Sequence, residues 1–281
     1  MINQRFDQRL FKYLMPVLLL VFLDACGSAP PRQPTAIEQA GKADHAAHRA
    51  LHDGDLMRAR ELFKQSMLLQ QSLDNLPASA MAAINLSSVS HKLGDDGAAL
   101  VLLDGILSDT TAQITPELRA AAAFRKGVIL ADAGKAVEAE SAMAVANKEC
   151  NRQCAFVSGI NNLSARLALE KGDFPYALAI AKNVMNAGAE KVEQANAMRI
   201  AAAAEAALGQ HEASLAHYQA ALELDKELAL SPRIAEDLKG IVKVLEKLGR
   251  KPEADIFAHR AETVIEAARL LPVNSAKKSL P

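Results

Sequence analysis

Six glycines, Gly54, Gly94, Gly134, Gly172, Gly209 and Gly249, recur at intervals of 40, 40, 38, 37 and 40 residues. Each stands between two stretches rich in alanine and leucine. Glycine takes up the left-handed backbone that ends a helix without steric cost, so the phasing predicts six helix–turn–helix units. Self-similarity at such a period marks a solenoid, in which one helix pair cannot bury its apolar face alone and is stabilised by stacking on its neighbours. Composition agrees. Half of the residues are apolar, yet aromatics make up 4% and tryptophan is absent, which suits closely packed helices rather than a sheet. A net charge of −1 offers no basic footprint for nucleic acid.

The best-kept copy runs from Leu208 to Asp225: a helix ending at Gly209, a tight turn, then a second helix with Tyr218 and Ala221 on its inner face. Other copies share a small residue seven before the glycine, an alanine five after it and a large apolar residue four further on. These are Ala47, Ala59 and Phe63; Ser87, Ala99 and Leu103; Gly127, Ala139 and Met143. The fourth has Ala165 and Ala177 but only Ala181 where bulk is expected, the fifth has Ser214 in place of alanine, and the sixth departs at Val242 and Ala258. The pattern resembles the tetratricopeptide repeat (TPR). The resemblance implies an all-α, right-handed α-solenoid of about six TPR-like helix pairs over residues 40–271, with Leu103, Met143 and Tyr218 in its continuous core. The period exceeds the 34 residues of a standard repeat, so second helices or the loops between repeats must be extended, and Pro77, Pro116 and Pro232 mark those extensions. The charged stretches around Glu236, Asp237 and Lys239 are expected to form the polar outer face of the last repeat.

The first residues carry a different signal. Arg5, Arg9 and Lys12 precede an apolar run from Tyr13 to Leu23, too short to span a membrane and shaped like a secretory leader. Its end, Leu23-Asp24-Ala25-Cys26, resembles the lipobox of bacterial lipoproteins, although Asp24 departs from the usual small or apolar residue. The resemblance implies cleavage after residue 25, lipidation of Cys26 and residence in the bacterial cell envelope, at the outer membrane facing the periplasm. Residues 26–39 then read as a flexible tether and residues 272–281 as a disordered tail.

Several side chains are candidates for chemistry. Cys150 and Cys154 frame a three-residue connection that a disulfide can staple in an oxidising compartment, free thiols being the alternative. His45, His48 and His52 share one face of the first helix, a spacing that can bring imidazoles to one metal or simply present a polar surface. TPR arrays present partners with the face built from their first helices. The glycine register places Asp44, His48, Asn85, His91, Phe124, Arg125, Arg166, Arg199 and Lys239 there. Asn85 and Arg125 match positions of the carboxylate-clamping variety, whereas Asp44, His48 and Ala121 do not. No nucleophile elbow, zinc-protease, phosphate-loop or dinucleotide motif occurs, so the expectation is a non-enzyme without a cofactor. It would bind other envelope proteins or peptides during assembly of a membrane-associated complex, with a metal- or small-ligand-binding lipoprotein using the His45/His48/His52 face as the alternative.

Overall fold

The computed structural model describes residues 35–270; Cys26, the leader, most of the tether and the tail lie outside the described residues. The described residues form twelve helices and no strand. In chain order they are α1 (Ala36–His52), α2 (Leu56–Ser72), α3 (Leu76–Lys92), α4 (Asp96–Ser108), α5 (Pro116–Asp132) and α6 (Ala136–Cys150). After them come α7 (Val157–Glu170), α8 (Phe174–Asn186), α9 (Lys191–Ala207), α10 (His211–Glu227), α11 (Ser231–Lys247) and α12 (Lys251–Leu270). Each helix packs on its predecessor and its successor, and the first helices of neighbouring pairs also meet, α3 on α5, α5 on α7, α7 on α9 and α9 on α11. This is the all-α solenoid of six helix pairs.

All six turn glycines have positive φ, between 71° and 85°. At each turn the residue after the glycine donates its N–H to a carbonyl five back, as Asp55 does to Ala50 at 2.8 Å and Arg250 to Leu245 at 2.9 Å. That bond closes the helix end and uses a carbonyl left without an intrahelical partner. Where aspartate follows the glycine, it also starts the next helix: Asp55, Asp95 and Asp173 accept the N–H three residues on, satisfying an N-terminal donor.

The small residue five after the glycine is buried in every pair. Ala59, Ala99, Ala139, Ala177 and Ser214 are 0% exposed, and Ser214 is accommodated because its hydroxyl donates to the Ala202 carbonyl at 2.7 Å. Phe63, Leu103 and Met143 fill the core one turn further on.

One boundary differs. The first helix begins at Ala36, so residues 36–39 are helical rather than tether, and Ala40 is buried. Pro77, Pro116 and Pro232 sit at the first positions of α3, α5 and α11, where a missing N–H costs nothing. Pro77 and Pro232 follow second helices of 17 residues, α2 and α10, and Pro116 follows the extended connection 109–115 after the 13-residue α4. The long period thus comes from long helices in most pairs and from that connection where the second helix is short.

Candidate functional site

Because neighbouring first helices touch, side chains such as Phe124, Asn162 and Arg199, each ten residues before its turn glycine, come together with others on one face. They line a groove of about 580 Å³ running over α5, α7, α9 and α11, with Tyr218 of α10 at one end. Its apolar surface comes from Phe124, Val128, Leu163 and Ile200, and its polar surface from Asp132, Asn162, Arg166, Glu193, Asn196, Arg199, Arg233 and Glu236. The Phe124 ring stacks on Phe156, 5.9 Å between centroids. Phe156 is in turn set by the connection in which Cys150 and Cys154 are bonded, S–S 1.93 Å, both cysteines buried.

Polar contacts stitch the groove from one first helix to the next. His91 of α3 meets Asp132 of α5 at 3.1 Å and Asp96 at 2.6 Å. Arg166 of α7 donates to Asp132 at 2.7 Å and to Glu170 at 2.9 Å. Burial opposes the His91 charge, but the two aspartates outweigh it and raise the imidazole above its ordinary value. Burial likewise opposes ionisation of Asp132, but Arg166 and His91 hold its carboxyl below the usual range. Asn162 donates to the Glu193 carboxylate at 2.6 Å and to the Glu193 carbonyl at 2.9 Å, joining α7 to α9.

The joint between α9 and α11 is built differently. Arg199 donates to Asp237 at 2.7 Å and also pairs with Asp225; the side chains of the three are 9%, 0% and 1% exposed, respectively. Burial, with the Asp225 carboxyl alongside, pushes Asp237 up to about 7 in spite of the arginine. Tyr218 packs over Gly240, where an added Cβ would run into its ring.

The structure therefore gathers three of the expected face residues, Phe124, Arg166 and Arg199, and reaches His91 through Asp132. Arg199 needs correcting as a presented, partner-reading group: two buried carboxylates claim its guanidinium. Asp237 is likewise no part of a polar outer face, because it is the buried counter-ion of Arg199. Asn85, Arg125 and Lys239 do not line the groove. The Arg125 Nε is buried without an acceptor, and burial lowers its pKa. Asp44 and His48 lie 3.7 Å apart on α1, with the His48 ring edge-on to Phe63 at 5.0 Å, while His52 turns to Asp53 at 3.4 Å. His48 and His52 thus take separate partners, and among the described residues no group of three or more His, Cys, Asp or Glu, His45 included, converges on a metal position. No described helix is long and apolar enough to cross a membrane.

Asn162, Glu193 and Asn196 escaped the sequence reading. For Asn162 a signal existed: it stands ten residues before Gly172, as Phe124 does before Gly134 and Arg199 before Gly209.

Among solved structures, the chain is similar to a tetratricopeptide repeat protein from Parabacteroides merdae, with 15% identity over 80% of this chain and 79% of that one, TM-score 0.54. The fold is that of tetratricopeptide-repeat proteins. Also similar are a Rap protein complexed with Competence and Sporulation Factor (14% identity, 82% of this chain, 66% of that one, TM-score 0.62) and BtubC from P. vanneervenii (13%, 89% and 98%, TM-score 0.57). The chain thus spans just under two thirds of the Rap protein. No protein-family profile and no curated protein matches the sequence. In TPR terms, the groove lies on the first helices of repeats three to six, and the bonded cysteines join repeats three and four.

Proposed function

We propose that the protein is a membrane-anchored TPR scaffold that holds a protein segment during assembly of a bacterial envelope complex. The groove over α5, α7, α9 and α11 carries the reading. It is open, extended and mixed in character, with aromatic and aliphatic surface beside fixed polar groups, and such a surface suits an extended chain better than a small rigid ligand. One similar structure holds a Rap protein together with Competence and Sporulation Factor, and a partner-holding role is carried over from it as part of the proposal. The anchor rests on the Leu23-Asp24-Ala25-Cys26 sequence, because one lipidated cysteine carrying several acyl chains gives stable attachment without a spanning helix.

Site-specific photo-crosslinking in cells tests the scaffold. A crosslinker at Ile200, in the groove, is expected to trap one discrete protein, and one at Val101, which is 72% exposed on α4, is expected to trap none. Equal trapping from both positions, or none from Ile200, overturns the groove as the partner site. Cys26→Ser is expected to move the protein from membrane to soluble fractions; unchanged fractionation removes the anchor.

A further inference from the structure

Nearly every charge that lines the groove already has an opposite charge. Asp132 is held by Arg166 and His91, Arg199 by Asp225 and Asp237, and Arg233 by Glu236. Glu193 is the exception. Its carboxylate accepts from two neutral amides, Asn162 at 2.6 Å and Asn196 at 3.5 Å, and among the described residues no lysine, arginine or histidine pairs with it. It is partly buried, where an uncompensated charge is costly and a counter-ion correspondingly valuable.

Two further features lie at the same place. Asn162 is 5% exposed, and its Oδ1 has no donor. Turning the amide over would not help, because its nitrogen already serves two Glu193 oxygens. Gly159 of α7 lets the Phe124 ring and the Glu193 carboxylate close on its backbone, since an added Cβ would stand 2.9 Å from the ring and 3.3 Å from Glu193 Oε1. A carboxylate with no counter-charge, beside an amide oxygen with no donor, favours a cation held by charge-assisted hydrogen bonds.

We propose that the Glu193–Asn162 corner of the groove binds the ammonium or guanidinium of a lysine or arginine side chain on an extended partner segment, with neighbouring apolar residues of that segment against Val128, Leu163 and Ile200. The proposal rests on the reading of the groove as a partner site and adds the chemistry of the partner. Glu193 supplies the counter-charge, and Glu193 stays in place through its amide contacts before the partner arrives. Gly159 allows the Glu193 carboxylate and the Phe124 ring to keep their places against α7.

Phage-displayed random dodecapeptides, selected on the full chain in detergent, provide the test. Peptides that Ile200→Trp prevents from binding are scored as groove-bound. The expected result is a lysine or arginine at one fixed position among them, with about ten-fold weaker binding when that residue is changed to norleucine, the scale of one charge-assisted contact. Glu193→Gln keeps the amide contacts and is expected to erase the preference, and Gly159→Ala to weaken all such peptides. Groove-bound peptides lacking a basic residue, enriched in acidic ones, or equally selected by Glu193→Gln overturn the cation reading and leave the scaffold standing. If no peptide is groove-bound, both fail. Circular dichroism matching the unaltered protein verifies that each variant is folded.

Discussion

The joint between α5 and α7 and the joint between α9 and α11 perform the same task with opposite physics. In the first, Asp132 and Arg166 pair half-exposed at the surface, and the nearby core glycine, Gly127, packs on the flexible thioether of Met143. In the second, Arg199 is sealed between two aspartates, and Gly240 packs on the rigid Tyr218 ring. Exposed ion pairs contribute little because water and salt screen them. A buried pair adds little net stability as a whole, yet removing one member strands a charge out of water. The second joint is therefore far less tolerant of change while not being intrinsically stronger.

That contrast can be broken most directly at the arginines. Arg199→Ala is expected to lower stability by about 3–5 kcal/mol, read from urea unfolding monitored by circular dichroism. Arg166→Ala is expected to cost less than about 1 kcal/mol. Similar losses at both sites would mean that burial is not what separates the joints.

The bonded connection that leads from α6 into α7, beside the first joint, provides the next largest effect. Replacing both Cys150 and Cys154 by alanine is expected to cost about 2 kcal/mol, since the closed loop is short. The bond also restrains Asn151 and Arg152, which both have positive φ. Thermal unfolding of the double variant checks this, and reduction of the unaltered protein should reproduce it.

Glycine substitutions sharpen the packing half of the comparison. Gly240→Ala is expected to destabilise by about 1–3 kcal/mol, because the Tyr218 ring has to shift as a unit. Gly127→Ala drives a Cβ to 2.8 Å from the Met143 sulfur, and that side chain can change rotamer, so the loss should be smaller.

The pH profile separates the joints more finely. Asp237, raised to about 7 by burial, binds a proton in the folded state that the unfolded chain releases near the ordinary carboxylate value. Its contribution is fully present below about pH 4 and is lost as pH rises through about 7. Asp237→Asn should flatten that fall. His91, raised by Asp96 and Asp132 despite burial, contributes stability that is full below its ordinary value and is lost as pH rises through its raised one. At a surface joint the His91 effect should be the smaller of the two, and urea midpoints measured from pH 4 to 9 compare them.

Much of the architecture was legible in the chain. The turn glycines, the buried Ala59, Ala99, Ala139 and Ala177, and the core positions of Phe63, Leu103 and Met143 follow from local rules: a left-handed turn favours glycine and a close helix crossing favours a small side chain. The first-helix face was legible as a register. What was not legible was the state of each polar residue on it. Arg199, ten residues before Gly209, and Arg166, six before Gly172, both fall on the first-helix face, and nothing nearby in sequence says which of them is buried. The difference is made by Asp225 and Asp237, 26 and 38 residues further on. Glu193 reads as an ordinary helix-surface acid until its neighbours Asn162 and Gly159, from the preceding pair, are set around it.

The sequence by itself determined the repeat, the helix ends and the small-residue crossings, because each depends on backbone conformation or on the volume of one side chain. Only the tertiary structure decided which charges are consumed within the protein and which remain for a partner. Pairing and desolvation depend on residues brought together from different repeats, and a one-dimensional period records their places without their company.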